Sequence, residues 1–236
     1  MVGESRQAQL TQALRAKSGY RTFRSIADVS ISAVALLLLV PVLIVIAIAI
    51  TLDSPGPVFF RQLRAGKDGK PFELVKFRSM NRDAPHFSEK KSEHDPQVTR
   101  VGRLLRRSGL DELPQLWNVV RGEMALIGPR PEQLALLGSY DLQQLRWRHS
   151  VKPGITGWWQ VHHRDTQPMR ENIEKDLYYI QNMGIALDVL ILLRTLNILL
   201  IGLMRPIQAA YGDSSTSGVD PNNTQDGVAI RPVAGS

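Results

Sequence analysis

The chain has 236 residues, of which 43% are hydrophobic and 22% charged, and its 29 Lys and Arg against 22 Asp and Glu give a formal net charge of +7. This composition excludes fibrous, collagen-like and wholly disordered proteins, and the absence of cysteine excludes disulfides, thiolate metal sites, iron–sulfur clusters and a cysteine nucleophile. The basic charge predicts an anionic partner: nucleic acid, a phosphate-bearing substrate or an acidic membrane surface.

An apolar run follows a short polar leader. Residues 1–22 are polar and predict a surface leader, and residues 23–53 contain a stretch, 29–52, without a charged side chain. That stretch exceeds the roughly 20 residues that a helix needs to cross a bilayer. Three interpretations are open: a cleaved signal peptide, a spanning helix, or a re-entrant helix that enters and leaves by the same face. The length of the run and of its leader argues against the signal peptide.

Pro41 and the flanking charges distinguish the other two interpretations. Pro41 lies in the middle of the run, where proline removes a backbone hydrogen bond and kinks a helix. Lysines and arginines occur on both sides of the run, whereas a spanning helix is expected to have its basic flank on one side. The sequence therefore favours a re-entrant helix at residues 23–53, although proline kinks also occur in spanning helices.

The rest of the chain predicts a folded domain over residues 54–208 and a disordered tail over 209–236. Two aromatic and β-branched runs around a turn at 67–70 predict a β-hairpin, and the polar stretch 81–97 predicts a surface loop. Helices are expected at 101–107, 113–120, 131–148 and 169–182, and the apolar segment 187–204, interrupted by Arg194 and Asn197, fits an interfacial helix. The expected fold is α+β: a mostly helical monotopic membrane protein with a re-entrant helix, a small hairpin and interfacial amphipathic helices.

Asp111 and Glu112 are the candidate catalytic residues. They follow a basic helix and precede a helix predicted to begin near Pro114. Acidic residues in a first helical turn commonly serve only to satisfy free N–H groups and the helix dipole. The same place suits phosphate chemistry, because a helix N-terminus beside arginines keeps a carboxylate ionised while a second carboxylate can hold Mg²⁺. An ionised carboxylate there is equipped to attack phosphorus.

Five segments give a more specific indication. In chain order they are KFRSM at 76–80, VTRVGRLLRRSGLDELPQLWNVVRGEM at 98–124, GPRP at 128–131, PGITGWWQV at 153–161 and DLYYI at 176–180. Together they resemble the bacterial sugar transferase family, the monotopic phosphoglycosyl transferases that begin cell-surface glycan assembly. The resemblance runs from about residue 24 to about residue 200, and the short leader is similar to that of the small catalytic-core members.

The resemblance implies an activity and a role for each motif residue. The reaction is transfer of a sugar-1-phosphate from a nucleotide sugar, usually a UDP-sugar, to a polyprenyl phosphate such as undecaprenyl phosphate, with UMP release, Mg²⁺ and an aspartyl phosphosugar intermediate. By motif, Asp111 is the nucleophile, Glu112 the Mg²⁺ ligand, and Pro41 the residue that bends the re-entrant helix. The implied substrate-binding residues are Lys76, Arg78, Arg106, Arg130 and, completing the polar site, Asp176.

The resemblance also implies a place and partners. It places the catalytic domain on the cytoplasmic face of a bacterial inner membrane, at the first membrane step of exopolysaccharide, capsule, O-antigen or glycoconjugate assembly. The expected partners are a nucleotide sugar, a polyprenyl phosphate and anionic membrane lipid, without nucleic acid, and whether the chain forms a homodimer is left open. Trp159 stands where the family usually has Ala, and His162-His163 replace a common Asn-Gly, so the sugar stays open.

Two other classes compete with the enzyme. A membrane-anchored basic protein that binds anionic lipid or nucleic acid without turnover accounts for the charge equally well. It leaves Asp111 and Glu112, beside their arginines, unexplained. An inactive scaffold of the same fold is disfavoured because both carboxylates are present.

Overall fold

One long helix carries the apolar run. The computed structural model describes residues 11–12, 14–84, 95–139, 142–163 and 173–204, and the predicted tail at 209–236 lies outside the described residues. Helix α1 (Ser18–Asp53) has 36 residues, begins within the predicted polar leader and continues through Pro41. Of the helices described, α1 is the one long and apolar enough to cross a membrane. The re-entrant break at Pro41 stays a prediction.

The predicted hairpin is confirmed. Strands β1 (Phe59–Ala65) and β2 (Pro71–Phe77) pair antiparallel, with Phe59 opposite Phe77 and Ala65 opposite Pro71. A short 3₁₀ turn, Lys67–Gly69, joins them. Along the chain follow β3 (Ala125–Ile127), β4 (Glu132–Gln133) and β5 (Gly154–Thr156). Strand β4 extends the hairpin into a sheet of order β2-β1-β4, whereas β3 and β5 form a separate parallel pair.

The helices beyond the hairpin largely match the sequence-based predictions. They are α2 (Arg100–Ser108), α3 (Gln115–Val120), α4 (Leu142–Arg148), α5 (Gln160–His163), α6 (Ile173–Asn182) and α7 (Ile185–Met204). The Thr99 side chain caps α2 by accepting a hydrogen bond from the Gly102 N–H at 2.9 Å. The predicted loop at 81–97 is described only in part, and residues 85–94 lie outside the described ranges, as do 169–172 of the predicted helix 169–182.

The prediction of one helix over 131–148 is wrong. This stretch contains strand β4, a 3₁₀ segment at Leu134–Ser139 and only then α4. Glu132 pairs with Ala65 of β1 in the sheet register, and its buried side chain faces Arg148 at 3.5 Å. These tertiary contacts are not encoded in local helix propensity, which is a weak preference that sheet pairing overrides.

Helix α1 contacts the folded domain near both of its ends. Towards its C-terminus, Ile46 and Ile50 pack with Phe77 and Leu105 in one buried cluster. Towards its N-terminus, the Arg24 Nε lies 3.1 Å from the Asp188 carboxylate of α7. Between these attachments Asp28 and Ser32 are buried, whereas many apolar side chains are exposed, such as Leu37 and Leu38, which are 73% and 72% exposed.

Candidate active site

Asp111 and Glu112 lie in a tight turn between α2 and α3. Gly109 ends α2 with a left-handed φ of 69°, and the 3₁₀ turn Leu110–Glu112 follows directly. Asp111 is buried and Glu112 is half-buried. Helix α3 begins at Gln115 and has no acidic residue in its first turn. Capping of α3 therefore does not account for these two carboxylates.

Three basic side chains surround the two carboxylates. Arg130 Nη1 lies 3.5 Å from Glu112 Oε1. Burial lowers the pKa of Lys76, whereas the negative charges of Asp111 and Glu112 raise it and the positive charges of Arg130 and Arg64 lower it further. The three cations exceed the two carboxylates by one positive charge, so the site is suited to an anionic ligand.

Arg64 is a site residue that the sequence analysis missed. Its Nη1 donates to the Pro131 carbonyl at 3.0 Å and its Nη2 to the Gln62 side-chain oxygen at 2.6 Å. Burial lowers the pKa of Arg64, and the positive charge of Arg130 lowers it further. The negative charges of Glu132 and Glu112 raise this pKa. A guanidinium nonetheless stays protonated at neutral pH. The predicted hairpin could have indicated Arg64. Side chains alternate between the two faces of a strand, so Phe60 and Arg64 share one face of β1, and Phe60 pairs with Lys76 of β2. Arg64 is therefore on the face of the hairpin that carries Lys76.

The segment Ile127–Pro131, here called the GPRP loop, brings Arg130 to the carboxylates. Its backbone is held between the parallel strands: the Gly128 N–H donates to the Thr156 carbonyl at 2.8 Å, and the Gly154 N–H donates to the Pro129 carbonyl at 2.9 Å. A Cβ added at Gly128 would lie 2.6 Å from the Lys152 carbonyl oxygen. Gly128 and Gly154 therefore let the backbone of the GPRP loop approach the backbone at the start of β5 closely.

Three residues that the resemblance assigned to substrate make hydrogen bonds within the fold. Arg78 is buried and donates from Nη1 and Nη2 to the carbonyls of Pro55 and Ser54, both at 2.7 Å, so it fixes the end of α1. The Arg106 Nε donates to the Ser79 hydroxyl at 3.0 Å. Asp176 is 2% exposed and accepts from Arg148 Nε at 2.7 Å, behind the GPRP loop. Of the predicted binding residues, Lys76 interacts electrostatically with both carboxylates and Arg130 is ion-paired with Glu112.

Two residues that depart from the family pattern, Trp159 and His162, lie just before and within α5. Trp159 and Gln160 are buried, and among the described residues the Trp159 Nε1 and both polar atoms of the Gln160 side chain have no hydrogen-bond partner. The exposed ring of His162 contacts Arg194 and lies 4.1 Å from the Trp158 ring, centroid to centroid. In the described part of the chain, His162 is engaged with an arginine and an aromatic ring and not with a metal-ligand cluster.

The donor set at the site fits Mg²⁺. No group of three or more His, Cys, Asp or Glu side chains is assembled within the described ranges, so those residues form no all-protein metal cage. Mg²⁺ usually binds through one or two carboxylates together with substrate phosphates and water. Glu112, half-buried beside the cations, supplies such a carboxylate.

Known proteins are similar to this chain over much of its length. Residues 19–202 match the family model described as bacterial sugar transferase. A UDP-N-acetylgalactosamine-undecaprenyl-phosphate N-acetylgalactosaminephosphotransferase from Aeromonas hydrophila is 45% identical, over 64% of this chain and 37% of the relative. A UDP-glucose:undecaprenyl-phosphate glucose-1-phosphate transferase from Escherichia coli (strain K12) is 44% identical, over 61% of this chain and 33% of the relative. The uncharacterized sugar transferase EpsL from Bacillus subtilis (strain 168) is 43% identical, over 61% of this chain and 71% of the relative.

The chain spans about a third of the length of the first two of these relatives. The family match nevertheless contains α1, the carboxylate turn, the GPRP loop and most of α7. The chain therefore belongs to the bacterial sugar transferase family.

Proposed function

We propose that this chain is a phosphoglycosyl transferase that moves a sugar-1-phosphate from a UDP-sugar to undecaprenyl phosphate, at an early membrane step of polysaccharide assembly. The observation that carries the proposal is the turn bearing Asp111 and Glu112, enclosed by Lys76, Arg64 and Arg130. The names of the Aeromonas and Escherichia relatives support the donor and acceptor classes. Those two relatives act on different sugars, so the sugar is left open here.

The first chemical step uses the negative carboxylate of Asp111 as nucleophile. The three cations bind the diphosphate of the donor and leave the phosphorus next to the sugar facing Asp111. An Asp111 oxygen forms a bond to that phosphorus while the bond to the bridging oxygen breaks, and the electron pair leaves with UMP. The product is an aspartyl phosphosugar. The ammonium of Lys76 interacts with the negative charge of Asp111, the charge state that this step needs.

The second step returns the enzyme to its starting state. A phosphate oxygen of undecaprenyl phosphate attacks the same phosphorus, and the bond to Asp111 breaks. The sugar is then joined to the lipid through a diphosphate, and Asp111 is again a carboxylate. Glu112 would hold Mg²⁺, which supplies neutralisation of phosphate charge. Arg130, which is ion-paired with Glu112, binds the diphosphate in a bidentate manner through its planar guanidinium.

The proposed membrane topology is re-entrant, with the domain on the cytoplasmic face. Its support is the attachment of α1 near both ends: Arg24 pairs with Asp188, and Asp53 accepts a hydrogen bond from the Val101 N–H at 2.8 Å. A domain on one side of a bilayer contacts both ends of a helix only if both ends return to that side. The exposed apolar middle of α1 would then enter the hydrocarbon from one face.

The alternative function is a basic membrane protein that binds anionic lipid without turnover. A panel of nucleotide sugars, incubated with the full chain, undecaprenyl phosphate, detergent and Mg²⁺ and scored for nucleoside monophosphate, separates the two. The transferase releases UMP from at least one UDP-sugar and gives a lipid-linked sugar. Binding to anionic vesicles without release from any donor would contradict the transferase.

A further inference from the structure

Three arginines from three different elements donate to carbonyl oxygens of the GPRP loop. Arg24 of α1 donates to the Ile127 carbonyl, and Arg148 of α4 to the Arg130 carbonyl. Arg64 of β1 donates to the Pro131 carbonyl at 3.0 Å. Together with the strand contacts of Gly128 and Pro129, every residue of the loop has a backbone hydrogen bond.

Arg148 is committed to this loop by its own partners. Its side chain is 1% exposed, its Nε donates to Asp176 at 2.7 Å and its Nη1 lies 3.5 Å from Glu132. Each of its three nitrogens therefore has a partner, the third being the Arg130 carbonyl. A buried guanidinium without these carboxylates would be strongly unfavourable, so the pairs with Asp176 and Glu132 fix where Arg148 points.

Arg24 holds the other end of the loop in a comparable way. Its Nε lies 3.1 Å from Asp188 and 3.7 Å from Asp28. Asp188 is itself oriented by the hydroxyl of Tyr179, which donates to it at 2.9 Å. The first carbonyl of the loop is thereby tied to α1, the membrane helix.

We infer that Arg148 and Arg24 are positioning residues, which hold the GPRP loop so that the Arg130 side chain faces Glu112 and the diphosphate of the donor. The inference rests on the proposed function, since it concerns how Arg130 meets the donor. It gives Asp176 a role other than the one that the resemblance implied: Asp176 orients Arg148 and does not contact substrate. A displacement of Arg130 by about 1 Å is enough to lower a rate by up to about 100-fold.

A double-mutant cycle tests the inference. Asp176→Asn removes the negative charge that orients Arg148 and nearly preserves the shape of the side chain at position 176. Arg130→Ala removes the guanidinium that the loop positions. We expect Asp176→Asn to lower kcat/KM for the UDP-sugar at least tenfold, mainly through KM for the donor and not for undecaprenyl phosphate. In an Arg130→Ala background the same change should have an effect below twofold, since the positioned group is gone. Arg24→Lys should also lower kcat/KM for the UDP-sugar in the wild-type background, and its effect should fall below twofold in the Arg130→Ala background.

A control and a second readout keep the test specific. Ile180→Val removes one buried methyl group from the same helix as Asp176, so its effect on activity should be equal with and without Arg130. Affinity for UDP with Mg²⁺, measured by calorimetry, should follow the same pattern without turnover. If Asp176→Asn does not fold, Glu132→Gln replaces it in the cycle.

The outcomes separate the inference from the proposed function. Equal effects of Asp176→Asn with and without Arg130 would overturn the positioning role, because the residue would then act on the fold in general. Wild-type chain that neither binds UDP nor releases UMP would instead overturn the proposed function, and this is measured before any variant is made.

Discussion

At the scale of single residues, charge determines what the site can do. The three positive charges of Lys76, Arg64 and Arg130 exceed the two negative charges of Asp111 and Glu112, which suits the site to an anionic ligand. The same residue types also make contacts within the fold: Arg78 donates to the carbonyl that follows the end of α1, and Asp176 pairs with Arg148. The two predictions at this scale concern Glu112, the proposed metal ligand, and Lys76.

Glu112→Gln should lower turnover by orders of magnitude, because an amide keeps the shape of the ligand and loses its charge. EDTA should abolish the activity of the wild-type chain, and added Mg²⁺ should restore it. UMP release measures both effects. The control is Glu73→Gln, which changes an exposed carboxylate whose partner is Arg61 and should leave UMP release unchanged. Full activity in chelator would contradict the assignment of Glu112.

The lowered pKa of Lys76 predicts an alkaline limit to donor binding. The protonated ammonium binds phosphate, so the interaction is present below the folded-state pKa and is lost as pH rises through it. Because that pKa is lowered, kcat/KM for the UDP-sugar should fall at a lower pH than an ordinary lysine would give. Lys76→Arg keeps its charge to higher pH and should move this fall upward. An identical alkaline profile in both proteins would rule out Lys76 as its origin.

At the scale of elements, much of the fold follows from local signals. The hairpin is specified by alternating side chains around a Gly-containing turn, and α2 by its Thr99 cap and the glycine that ends it. The stretch 131–148 does not follow from such signals, because Glu132 joins a sheet edge that only the folded chain creates. The contacts of Arg64, Arg148 and Asp176 could not be predicted for the same reason: each depends on a partner that is distant in sequence.

Gly109→Ala tests the turn that presents the carboxylates. Gly109 has a φ of 69°, which costs a residue with a side chain about 1–2 kcal/mol, and an added Cβ would lie 2.6 Å from Leu199 Cδ2. We expect a lower melting temperature together with lower turnover. Gly138→Ala is the matched control, since nothing lies within 4 Å of its added Cβ, and it should melt close to the wild type. Wild-type melting of Gly109→Ala would show that the left-handed turn is not required.

At the scale of the whole molecule, the folded domain uses the long apolar helix α1 as part of its own packing. Near its N-terminus α1 reaches the GPRP loop through Arg24, and near its C-terminus it packs on Phe77 and Leu105. The apolar run, Pro41 and the basic flanks were all readable in the sequence. The Arg24–Asp188 pair that ties α1 to α7 was not, because its partners are 164 positions apart and carry no local pattern.

The re-entrant topology predicts that both ends of α1 face the cytoplasm. The chain has no cysteine, so single cysteines at the exposed positions Ser18 and Lys70 can be labelled without background. A membrane-impermeant maleimide should label both in inverted vesicles and neither in intact spheroplasts. Labelling of the two positions from opposite sides would establish a spanning helix and refute the re-entrant topology.

The central claim is that Asp111 attacks phosphorus, and intact-mass analysis tests it most directly. Because the first displacement needs no lipid acceptor, enzyme given only UDP-sugar and Mg²⁺ should release about one equivalent of UMP per chain and gain the mass of one sugar phosphate on Asp111. Asp111→Asn should fold, bind UDP and form no adduct. The contrary result is UMP that appears only when undecaprenyl phosphate is added, with no adduct after rapid acid quench, which would make Asp111 a base for direct transfer.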